Sequence, residues 1–437
     1  MNILFPAKII GTMISYNDKF IITGKQSLSG DISVGGAKNA ALKALAASLI
    51  LDEPSMVSNV PQIEDISRLV EIIEDLGVDI EHDGNVYKIN NPKIKKTSIA
   101  PHLHQKTRSS MLLSVPILLQ HKEVTFAYPG GCVIGNRPID FFLSGFKEFG
   151  VEIENHDQGY TLHGKNLKPG RVMFTRISVT GTEAMMMLAC KIPGRSEILN
   201  AAMEPEVVAL ANYLNNCGAK ISGIGSTTLV IDGVDHLNGG NYETIPDRIE
   251  AGSFAILGAA TNSEISVNNI IPDHLEVLWQ FFKQAGVNFQ LGSNSVKILP
   301  SEVGLKAIPK DIITHEYPGF PTDLQAPMTV LMTQAKGQSL IFETIYEGRL
   351  FYIDKLNSMG ANIFMADPHR VMVTGPTPLM GKKIASPDIR AGMAMIIAGL
   401  IASGETEIDN IYQIDRGYER IEERLKKLGA KIERVNS

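Results

Sequence analysis

Positively charged side chains recur in this sequence where a helix is expected to begin or where a loop leads into one. They are Lys38, Arg108, Arg137, Arg349, Arg390 and Arg416. The first backbone N–H groups of a helix lack partners within the helix and carry a partial positive charge, so they favour anions. Added cations would make a cleft suited to phosphates and carboxylates. The alternative is that each arginine pairs with a surface carboxylate, but six in equivalent positions favour one shared ligand.

Cys132 lies in a glycine-rich loop, Gly130-Gly131-Cys132, that leads into a predicted helix. A thiol near a helix start and near Arg137 should have a lowered pKa and be reactive. The alternative interpretation, a small buried apolar residue, is the one we favour for Cys190 and Cys217. Three scattered cysteines do not make a disulfide framework or a four-ligand zinc site. A reducing, cytoplasmic setting is therefore expected.

Two other patterns are interpreted as having no chemical role. His102 and His104 form a His-x-His pair with no third ligand nearby in sequence, so we expect solvated loop histidines and not a metal site. Glycine clusters such as Asn238-Gly239-Gly240 lack the strand, turn and helix context of a dinucleotide site.

The elements that must position these residues follow from a six-fold repeat of the pattern Gly-[Ala/Val]-x-[Ile/Phe]. Its glycines, 68 to 74 residues apart, are Gly77, Gly150, Gly218, Gly286, Gly360 and Gly429. Each follows an amphipathic stretch, such as residues 66–76 and 417–428, whose apolar spacing predicts a helix. A glycine just past the last turn suits a left-handed C-cap. The alternation that follows, as in residues 78–89, predicts a strand and often a hairpin.

A second, more apolar stretch precedes each amphipathic one and predicts a helix that is buried nearly all round. We name it helix A, and the amphipathic helix is helix B. The six A stretches are residues 39–51, 108–119, 182–191, 250–261, 323–335 and 389–403. A short strand follows each, for example residues 123–127. The unit is therefore helix A, strand, helix B, strand, strand, and the reactive residues gather at the start of helix A and in the loop entering helix B.

The domain organisation follows from this unit. A chain of 437 residues is expected to form two or three domains. Six units allow two domains of three, each closing around its own buried helices, while the alternative is one continuous solenoid. The strand at residues 19–24 precedes the first unit and could return to pair with the last units, which would split one domain across both termini. Residues 1–17 are interpreted as an extension outside the fold.

Composition excludes several classes of protein. Lys and Arg number 41 against 47 Asp and Glu, a net charge of -6, so no basic excess is present to hold a nucleic acid. The 44% hydrophobic and 20% charged residues exclude a disordered chain. No uncharged apolar run reaches the length of about 18 residues that spans a membrane, so no membrane insertion is expected.

Several motifs resemble those of a known family. They are GGAKNAALKAL around Lys38 and Asn39, PGGCVIGNRPID around Cys132, AAMEPEVV at 201–208, PDRIEAG at 246–252, FPTD ending at Asp323 and IDRGYERIEERLKKLGAKIERV at 414–435. Over residues 18–435 the chain is similar to the UDP-N-acetylglucosamine 1-carboxyvinyltransferase family, the enolpyruvyl transferases of peptidoglycan synthesis. The resemblance implies an inside-out α/β barrel of two domains, each of three repeated units of about 70 residues, with the active site in the cleft between them. One domain would be residues 37–246, and the other would join residues 18–36 to 247–437.

The resemblance also implies a reaction. The enolpyruvyl group of phosphoenolpyruvate would pass to the 3-hydroxyl of UDP-N-acetylglucosamine, with release of phosphate, by addition and elimination through a tetrahedral intermediate. Cys132 matches the family's proton donor, which can also form a covalent adduct, and Asp323 matches the base. Lys38 and Arg416 complete the implied catalytic set. The implied phosphoenolpyruvate-binding residues are Lys38, Asn39, Arg137, Arg349, Asp388, Arg390 and Arg416.

The implied nucleotide-sugar site draws on several segments. Its residues are Asn39, Arg108, Arg137, Pro138, Ile139, Asp140, Phe141, Ser178, Val179, Thr180, Asp323 and Ile345. The sequence departs from the family at Phe142, where a histidine is frequent, at Met203, where a basic residue is frequent, and at residues 178–182, where Ser-Val-Gly-Ala-Thr is commoner. None of these changes removes a proposed catalytic group. No metal or organic cofactor is implied, because the cations are side chains, and the sequence carries no signal of oligomeric state.

The resemblance places the chain in the cytoplasm, in cell-wall formation, cell shape and division, and makes it a target of the epoxide fosfomycin. Two competing interpretations remain. The shikimate-pathway enolpyruvyl transferase shares the fold, but its Gly-Asp-Lys-Ser start and Gly-Asn-Ala-Gly-Thr loop are missing, and the Gly-Gly-Cys loop is foreign to it. A non-catalytic paralogue would bind UDP-N-acetylglucosamine without turnover, although the presence of Lys38, Cys132, Asp323 and Arg416 argues against it.

Overall fold

A computed structural model describes residues 18–128 and 139–436 of the chain. The predicted extension at residues 1–17 lies outside the described residues, as do Cys132, Arg137 and Pro138. The fold is mixed α/β, and small sheets alternate with helices throughout. No described helix combines the length and apolar character needed to cross a membrane.

The helices are α1 (Lys38–Ala47), α2 (Glu64–Asp75), α3 (Pro101–His104), α4 (Ser114–His121), α5 (Asp140–Glu148), α6 (Val179–Cys190), α7 (Pro205–Asn216), α8 (Arg248–Ala260), α9 (Glu276–Ala285), α10 (Gln325–Thr333), α11 (Ile353–Ser358), α12 (Ile389–Ile401), α13 (Tyr412–Asp415) and α14 (Ile421–Lys427). Short 3-10 helices cover Ser48–Ile50, Arg108–Leu113, Pro272–Leu275 and Thr322–Leu324.

The strands are β1 (Lys19–Thr23), β2 (Ser29–Ser33), β3 (Ser55–Ser58), β4 (Asp79–Asp83), β5 (Val86–Asn91), β6 (Glu123–Ala127), β7 (Glu152–His156), β8 (Gly159–His163), β9 (Arg171–Met173), β10 (Gly194–Leu199), β11 (Lys220–Ser222), β12 (Thr228–Gly233), β13 (Asn241–Glu243), β14 (Glu264–Asn268), β15 (Asn288–Leu291), β16 (Ser295–Leu299), β17 (Ile312–Ile313), β18 (Gly337–Phe342), β19 (Asn362–Asp367), β20 (Arg370–Gly375), β21 (Lys383–Ala385), β22 (Glu405–Asp409) and β23 (Lys431–Val435).

The two predicted kinds of helix are both present in the repeats. Helix A is α1, α4, α6, α8, α10 and α12 in turn, and helix B is α2, α5, α7, α9, α11 and α14. In α8 and α12 only the first and last residues escape full burial, because nearly every side chain is alanine, glycine or a large apolar residue. Helix α2 instead leaves one charged face outward. The buried helices therefore form the centre, and the amphipathic ones cover it.

All six repeat glycines end helix B in the left-handed conformation. Their φ angles lie between 73° and 100°. The predicted C-cap role is confirmed, because glycine reaches positive φ without a clash of Cβ against the backbone.

The strand that follows helix A is an inner strand in five of the six sheets of the described residues, and an edge strand in the order β6-β8-β7. That strand pairs with the hairpin after helix B and, in most sheets, with a parallel strand from elsewhere, as β3 does with β5 and β13. In the last sheet the order is β21-β22-β1-β23, so β1 fills the position of a hairpin strand. The predicted return of the first strand to the last unit is confirmed by its antiparallel pairing with β22 and β23.

Apolar side chains form two separate clusters. One runs from Ala41 to Tyr242, and the other joins Phe20–Val34 to Ile249–Ile432. The chain passes between them at two adjacent segments, where the N–H of Ala37 donates to the carbonyl of Ile245 at 2.7 Å. These clusters support the predicted two-domain division, which remains a proposal.

Three predicted helix bounds are wrong. The first helix A ends at Ala47 and continues as a 3-10 turn, and the second begins as a 3-10 helix before α4. The last helix B does not span residues 417–428. It begins at Ile421 because Arg420 has a φ of 43°, which breaks a helix there, so α13 and α14 are separate.

Candidate active site

The starts of the A helices and the loops into the B helices bring five predicted site residues together. Lys38 begins α1, Arg390 is the second residue of α12, and Asp323 lies in the 3-10 turn before α10. Arg349 precedes α11, and Arg416 directly follows α13. Lys38 is within electrostatic reach of Arg390, Arg416 and Asp323. The repeat therefore gathers charges that are distant in sequence.

Asp323 is held between two arginines. Arg349 Nη2 donates to Oδ1 at 2.8 Å, and Arg390 Nε donates to Oδ2 at 3.0 Å. Burial by itself would raise the pKa of Asp323, but Arg390, Arg349 and Lys38 together hold that pKa well below its usual range. The carboxylate is therefore ionised and, while both arginines stay in place, it is a weak base.

Lys38 and Arg416 share a second carboxylate, Asp65. Lys38 Nζ donates to Oδ2 at 3.1 Å, and Arg416 Nε donates to Oδ1 at 2.9 Å. Burial, with the charges of Arg390 and Arg416, lowers the pKa of Lys38, although Asp65 opposes the decrease. Burial would raise the pKa of Asp65, but Lys38 and Arg416 hold it low. The site thus consists of two cation pairs, and each pair shares one aspartate that offsets only part of its positive charge.

The sequence analysis missed Asp65, although it lies at a predicted reactive position. It is the second residue of α2, where a loop enters helix B. An aspartate in the first helical turn is ordinarily explained by the helix dipole, and its partner Arg416 is 351 positions away in sequence. The register of the repeat was the available signal.

Asp247 and Arg248 were also missed as site residues, although their motif was noted. Asp247 caps α8 by accepting from the N–H groups of Ile249 and Glu250, and it also accepts from the N–H of Lys38 at 3.3 Å. Burial raises the pKa of Asp247, and Arg390 opposes that rise. Arg248 Nε lies 3.4 Å from Glu206 and is within electrostatic reach of Asp323. The start of α8 therefore belongs to the same charged cluster.

Other predicted binding residues also occupy helix starts. Asn39 follows Lys38 in α1, Asp140 and Phe141 begin α5 after Ile139, and Val179 and Thr180 begin α6. Ser178 Oγ accepts from the N–H of Gly181 at 3.1 Å. Asp388 caps α12 through the N–H groups of Arg390 and Ala391, and the N–H of Ile345 donates to Glu343 at 2.9 Å. These positions fit the predicted binding roles without testing them.

His104 corrects one prediction. It is fully buried in α3, and its Nδ1 lies 2.8 Å from Ser110 Oγ, so it is not a solvated loop histidine. Burial, with the charge of Arg108, lowers its pKa to about 4. Within residues 18–128 and 139–436, no three His, Cys, Asp or Glu side chains are grouped so as to hold a metal ion.

The two described cysteines are buried, as predicted. Cys190 and Cys217 are both buried, and burial raises their pKa values to about 12 and about 11. Neither thiol would ionise appreciably near neutral pH.

Two cavities border the region between the clusters. The larger, of about 590 Å³, lies along α7 and contains none of the predicted site residues. The smaller, of about 280 Å³, is lined by Lys38, Asp247, Glu250 and Glu419. Size alone would favour the first, but the convergence of buried charges makes the second the candidate site.

Comparison with known proteins agrees across sequence and structure. The family model for EPSP synthase (3-phosphoshikimate 1-carboxyvinyltransferase) matches residues 22–425. A UDP-N-acetylglucosamine 1-carboxyvinyltransferase from Halothermothrix orenii is 40% identical over 417 residues, which is 95% of this chain and 99% of the relative. One from Koribacter versatilis is 41% identical over 424 residues, 96% of each chain.

Solved structures show the same fold. The enolpyruvyl transferase NikO from Streptomyces tendae aligns with a TM-score of 0.87 at 21% identity, over 96% of this chain and 99% of that one. EPSP synthase from Acinetobacter baumannii aligns with a TM-score of 0.73 at 18% identity, over 96% and 100%.

Proposed function

We infer the function from one premise: the chain belongs to the UDP-N-acetylglucosamine 1-carboxyvinyltransferase family, within the enolpyruvyl transferases. It is an enzyme that transfers the enolpyruvyl group of phosphoenolpyruvate to the 3-hydroxyl of UDP-N-acetylglucosamine and releases phosphate. This is the first committed step of peptidoglycan synthesis. We propose that it acts in the cytoplasm, with a role in cell shape and division.

The observation that supports the proposal is that two aspartates, Asp65 and Asp323, each lie between two cations. Phosphoenolpyruvate has two anionic groups, a phosphate and a carboxylate, and the site offers two cation pairs, Lys38 with Arg416 and Arg349 with Arg390. Arginine matches phosphate and carboxylate geometry through paired N–H donors. The protein as a whole has a net charge of -6, so this positive charge is confined to the cluster. The cluster therefore suits a small ligand that carries two anionic groups.

Asp323 is proposed as the base that takes the hydroxyl proton. Its pKa is too low for this while Arg349 and Arg390 both pair with it. If Arg349 turns to the bound phosphoenolpyruvate, one positive charge leaves the carboxylate and its pKa rises toward a useful value. Substrate binding would in this way activate the base. Asp388, within electrostatic reach of Arg349, would support this exchange.

Cys132 is proposed to supply the proton that the methylene carbon of phosphoenolpyruvate must gain when the hydroxyl adds to the adjacent carbon. A thiolate at that position would also open the epoxide ring of fosfomycin. The diphosphate of the nucleotide sugar would bind the first N–H groups of α6, at Ser178 to Thr180.

We further propose that the two clusters are two inside-out α/β barrels. The complete burial of α8 and α12 supports a helix at the centre of one of them. The cleft between the barrels would then hold the substrates.

Phosphate release tests the function and separates it from its rivals. Purified protein with phosphoenolpyruvate should release phosphate when UDP-N-acetylglucosamine is added, and it should release none with shikimate 3-phosphate or without an acceptor. Release with shikimate 3-phosphate alone would favour the shikimate enzyme. Binding of UDP-N-acetylglucosamine without any release would favour the non-catalytic paralogue.

The cysteine assignment has its own control in the same assay. Fosfomycin should abolish phosphate release by the wild type and add the mass of one fosfomycin molecule at Cys132. The Cys190→Ala variant should remain sensitive to fosfomycin. Modification of Cys190 or Cys217 instead would refute the assignment.

A further inference from the structure

Asp65 is the buried group on which the two halves of the site converge. It is 5% exposed and contacts Lys38, which begins α1 beside the first apolar cluster, and Arg416, which follows α13 in the second. A contact of this kind exists only when the two clusters stand close together. Nothing in the sequence motifs assigns a role to it.

We propose that Asp65 is a positioning residue of the phosphoenolpyruvate site, which holds Lys38 and Arg416 side by side so that one anionic group of the substrate meets both. The proposal rests on the proposed function, because it takes phosphoenolpyruvate as the ligand of those two cations.

The geometry fixes both cations at more than one point. Lys38 is anchored by its ammonium on Asp65 and by its backbone N–H on Asp247. Arg416 is held by Nε on Asp65 and by Nη1 on Gln413 Oε1 at 3.0 Å. A guanidinium is planar, so two anchored corners set the direction of the third. Asp65 is the one partner that the two cations share among these contacts.

Charge balance gives Asp65 a second effect on Lys38. The charged groups around this lysine are Asp65 on α2, Arg390 on α12, Arg416 after α13, Asp247 at the start of α8, Asp323 before α10, and Glu250, Glu419 and Arg424 around the small cavity. Burial, Arg390 and Arg416 all lower the pKa of Lys38, and Asp65 raises it. Without Asp65 the ammonium would lose its proton at a lower pH.

A simpler explanation is that Asp65 only joins the two halves of the molecule. The N–H of Gln62 donates to Glu419 Oε2 at 2.9 Å along the same seam, so Asp65 is not the only contact there. Glu419→Gln weakens that contact and leaves the ion pairs of Lys38 intact. It therefore serves as the control for a purely joining role.

The test compares Asp65→Asn and Asp65→Glu with Glu419→Gln and with Asp75→Asn. Asp75 lies on the same helix and pairs with Lys96 at the surface at 2.7 Å. For each variant, KM and kcat are measured for both substrates from pH 6 to 9. Calorimetry of phosphoenolpyruvate binding is run in parallel, and circular dichroism checks the fold.

For Asp65→Asn we expect the KM for phosphoenolpyruvate to rise roughly tenfold or more at pH 8.5 and to recover toward the wild-type value at pH 6, because Lys38 regains its proton. The KM for UDP-N-acetylglucosamine should change less than about twofold, since that ligand is proposed to bind other helix starts. Asp65→Glu should restore part of the affinity. Asp75→Asn should keep the wild-type pH profile, and Glu419→Gln, which breaks no ion pair of Lys38, should change that profile much less than Asp65→Asn does.

The positioning role would be overturned if Asp65→Asn weakened the use of both substrates equally at every pH. It would also be overturned if Glu419→Gln showed the pH-dependent rise in KM that is expected of Asp65→Asn. If Asp65→Asn does not fold, Asp65→Glu decides through the same pH profile. Calorimetry keeps the two claims apart. A wild type that binds phosphoenolpyruvate but releases no phosphate refutes the proposed function, while the pH dependence of binding still tests Asp65.

Discussion

A buried contact between a lysine and a glutamate lies inside the first apolar cluster, away from Asp65 and Asp323. Lys43 Nζ on α1 lies 3.6 Å from Glu183 on α6, and no polar atom of the described residues hydrogen-bonds either oxygen of Glu183. Burial, together with the charges of Glu206 and Glu204, raises the pKa of Glu183 to about 8, although Lys43 opposes the rise. At neutral pH this carboxyl is therefore mostly protonated, which avoids the cost of a desolvated anion.

Glu183→Gln should make the protein more stable in alkali. Glu183 has a pKa of about 8 when folded and an ordinary value of 4.5 when unfolded, so the folded state holds its proton more tightly. That contribution to stability is complete below pH 4.5 and is lost as the pH rises through 8. The glutamine stays neutral, so the variant should match the wild type near pH 5 and exceed it at pH 9 by on the order of a few kcal/mol.

Urea unfolding at pH 5, 7 and 9 measures this difference. Glu197→Gln is the control, because Glu197 is partly exposed and pairs with the exposed Arg171 at 3.0 Å. The free energy of unfolding of this control should change with pH as that of the wild type does. An alkaline loss of stability that is the same in Glu183→Gln and in the wild type would show that Glu183 is not the titrating group.

Residue types at helix starts were predictable from the sequence, and their partners were not. Lys38, Asp323 and Arg390 were found because helix periodicity and local motifs mark where a helix begins. Asp65 was missed because its pairing with Arg416 depends on how the last unit docks on the first. The buried state of His104 was missed for a similar reason, since Phe126 of the more distant strand β6 packs against its ring.

At the scale of elements, the repeat is maintained by its glycine caps. Gly286 ends α9 with a φ of 73°, and a Cβ placed on it would have its nearest neighbour, the carbonyl oxygen of Gly304, at 3.9 Å. The space around this glycine is therefore open. What constrains the position is the backbone conformation, which costs other L-residues about 1–2 kcal/mol.

Gly286→Ala should therefore lower the free energy of unfolding by about 1–2 kcal/mol, and Gly286→Asn should lower it by less, because asparagine tolerates the left-handed region. Thermal unfolding of both variants and the wild type ranks their stabilities. Equal losses in the two variants, or a larger loss for asparagine, would mean that crowding and not backbone conformation is the cause.

The regular elements were predicted well because each repeat encodes them locally, six times over. The failures fall where a unit departs from the pattern. Gly417 was predicted to begin the last helix B, but a Cβ there would lie 2.5 Å from Ile389 Cγ2, and the chain turns at Arg420 before α14 begins. Close packing on α12 overrides the local helical preference at this point.

At the scale of the whole molecule, the first strands of the chain complete structures built by its end. β1 lies between β22 and β23, with Phe20 and Ile22 fully buried, and β2 pairs in parallel with β14. Length and repeat number allowed this arrangement but did not require it. Two sheets of the second cluster are therefore incomplete without residues 18–36.

Fragments of the chain test the two-domain division directly. Residues 37–246 contain one whole apolar cluster and should unfold cooperatively on their own. Residues 247–437 alone should not, because the sheet β21-β22-β1-β23 would lack an inner strand and leave apolar surface exposed.

A rearranged second fragment should recover the fold. Val435 at the end of β23 pairs with Lys19 at the start of β1, so a turn of about four residues after position 437, followed by residues 18–36, would make a hairpin of the two strands. Thermal unfolding and resistance to trypsin measure the three fragments. Cooperative unfolding of residues 247–437 without residues 18–36 would refute the split domain. Failure of residues 37–246 to fold would favour a continuous solenoid, because a stack of units depends on its neighbours for stability.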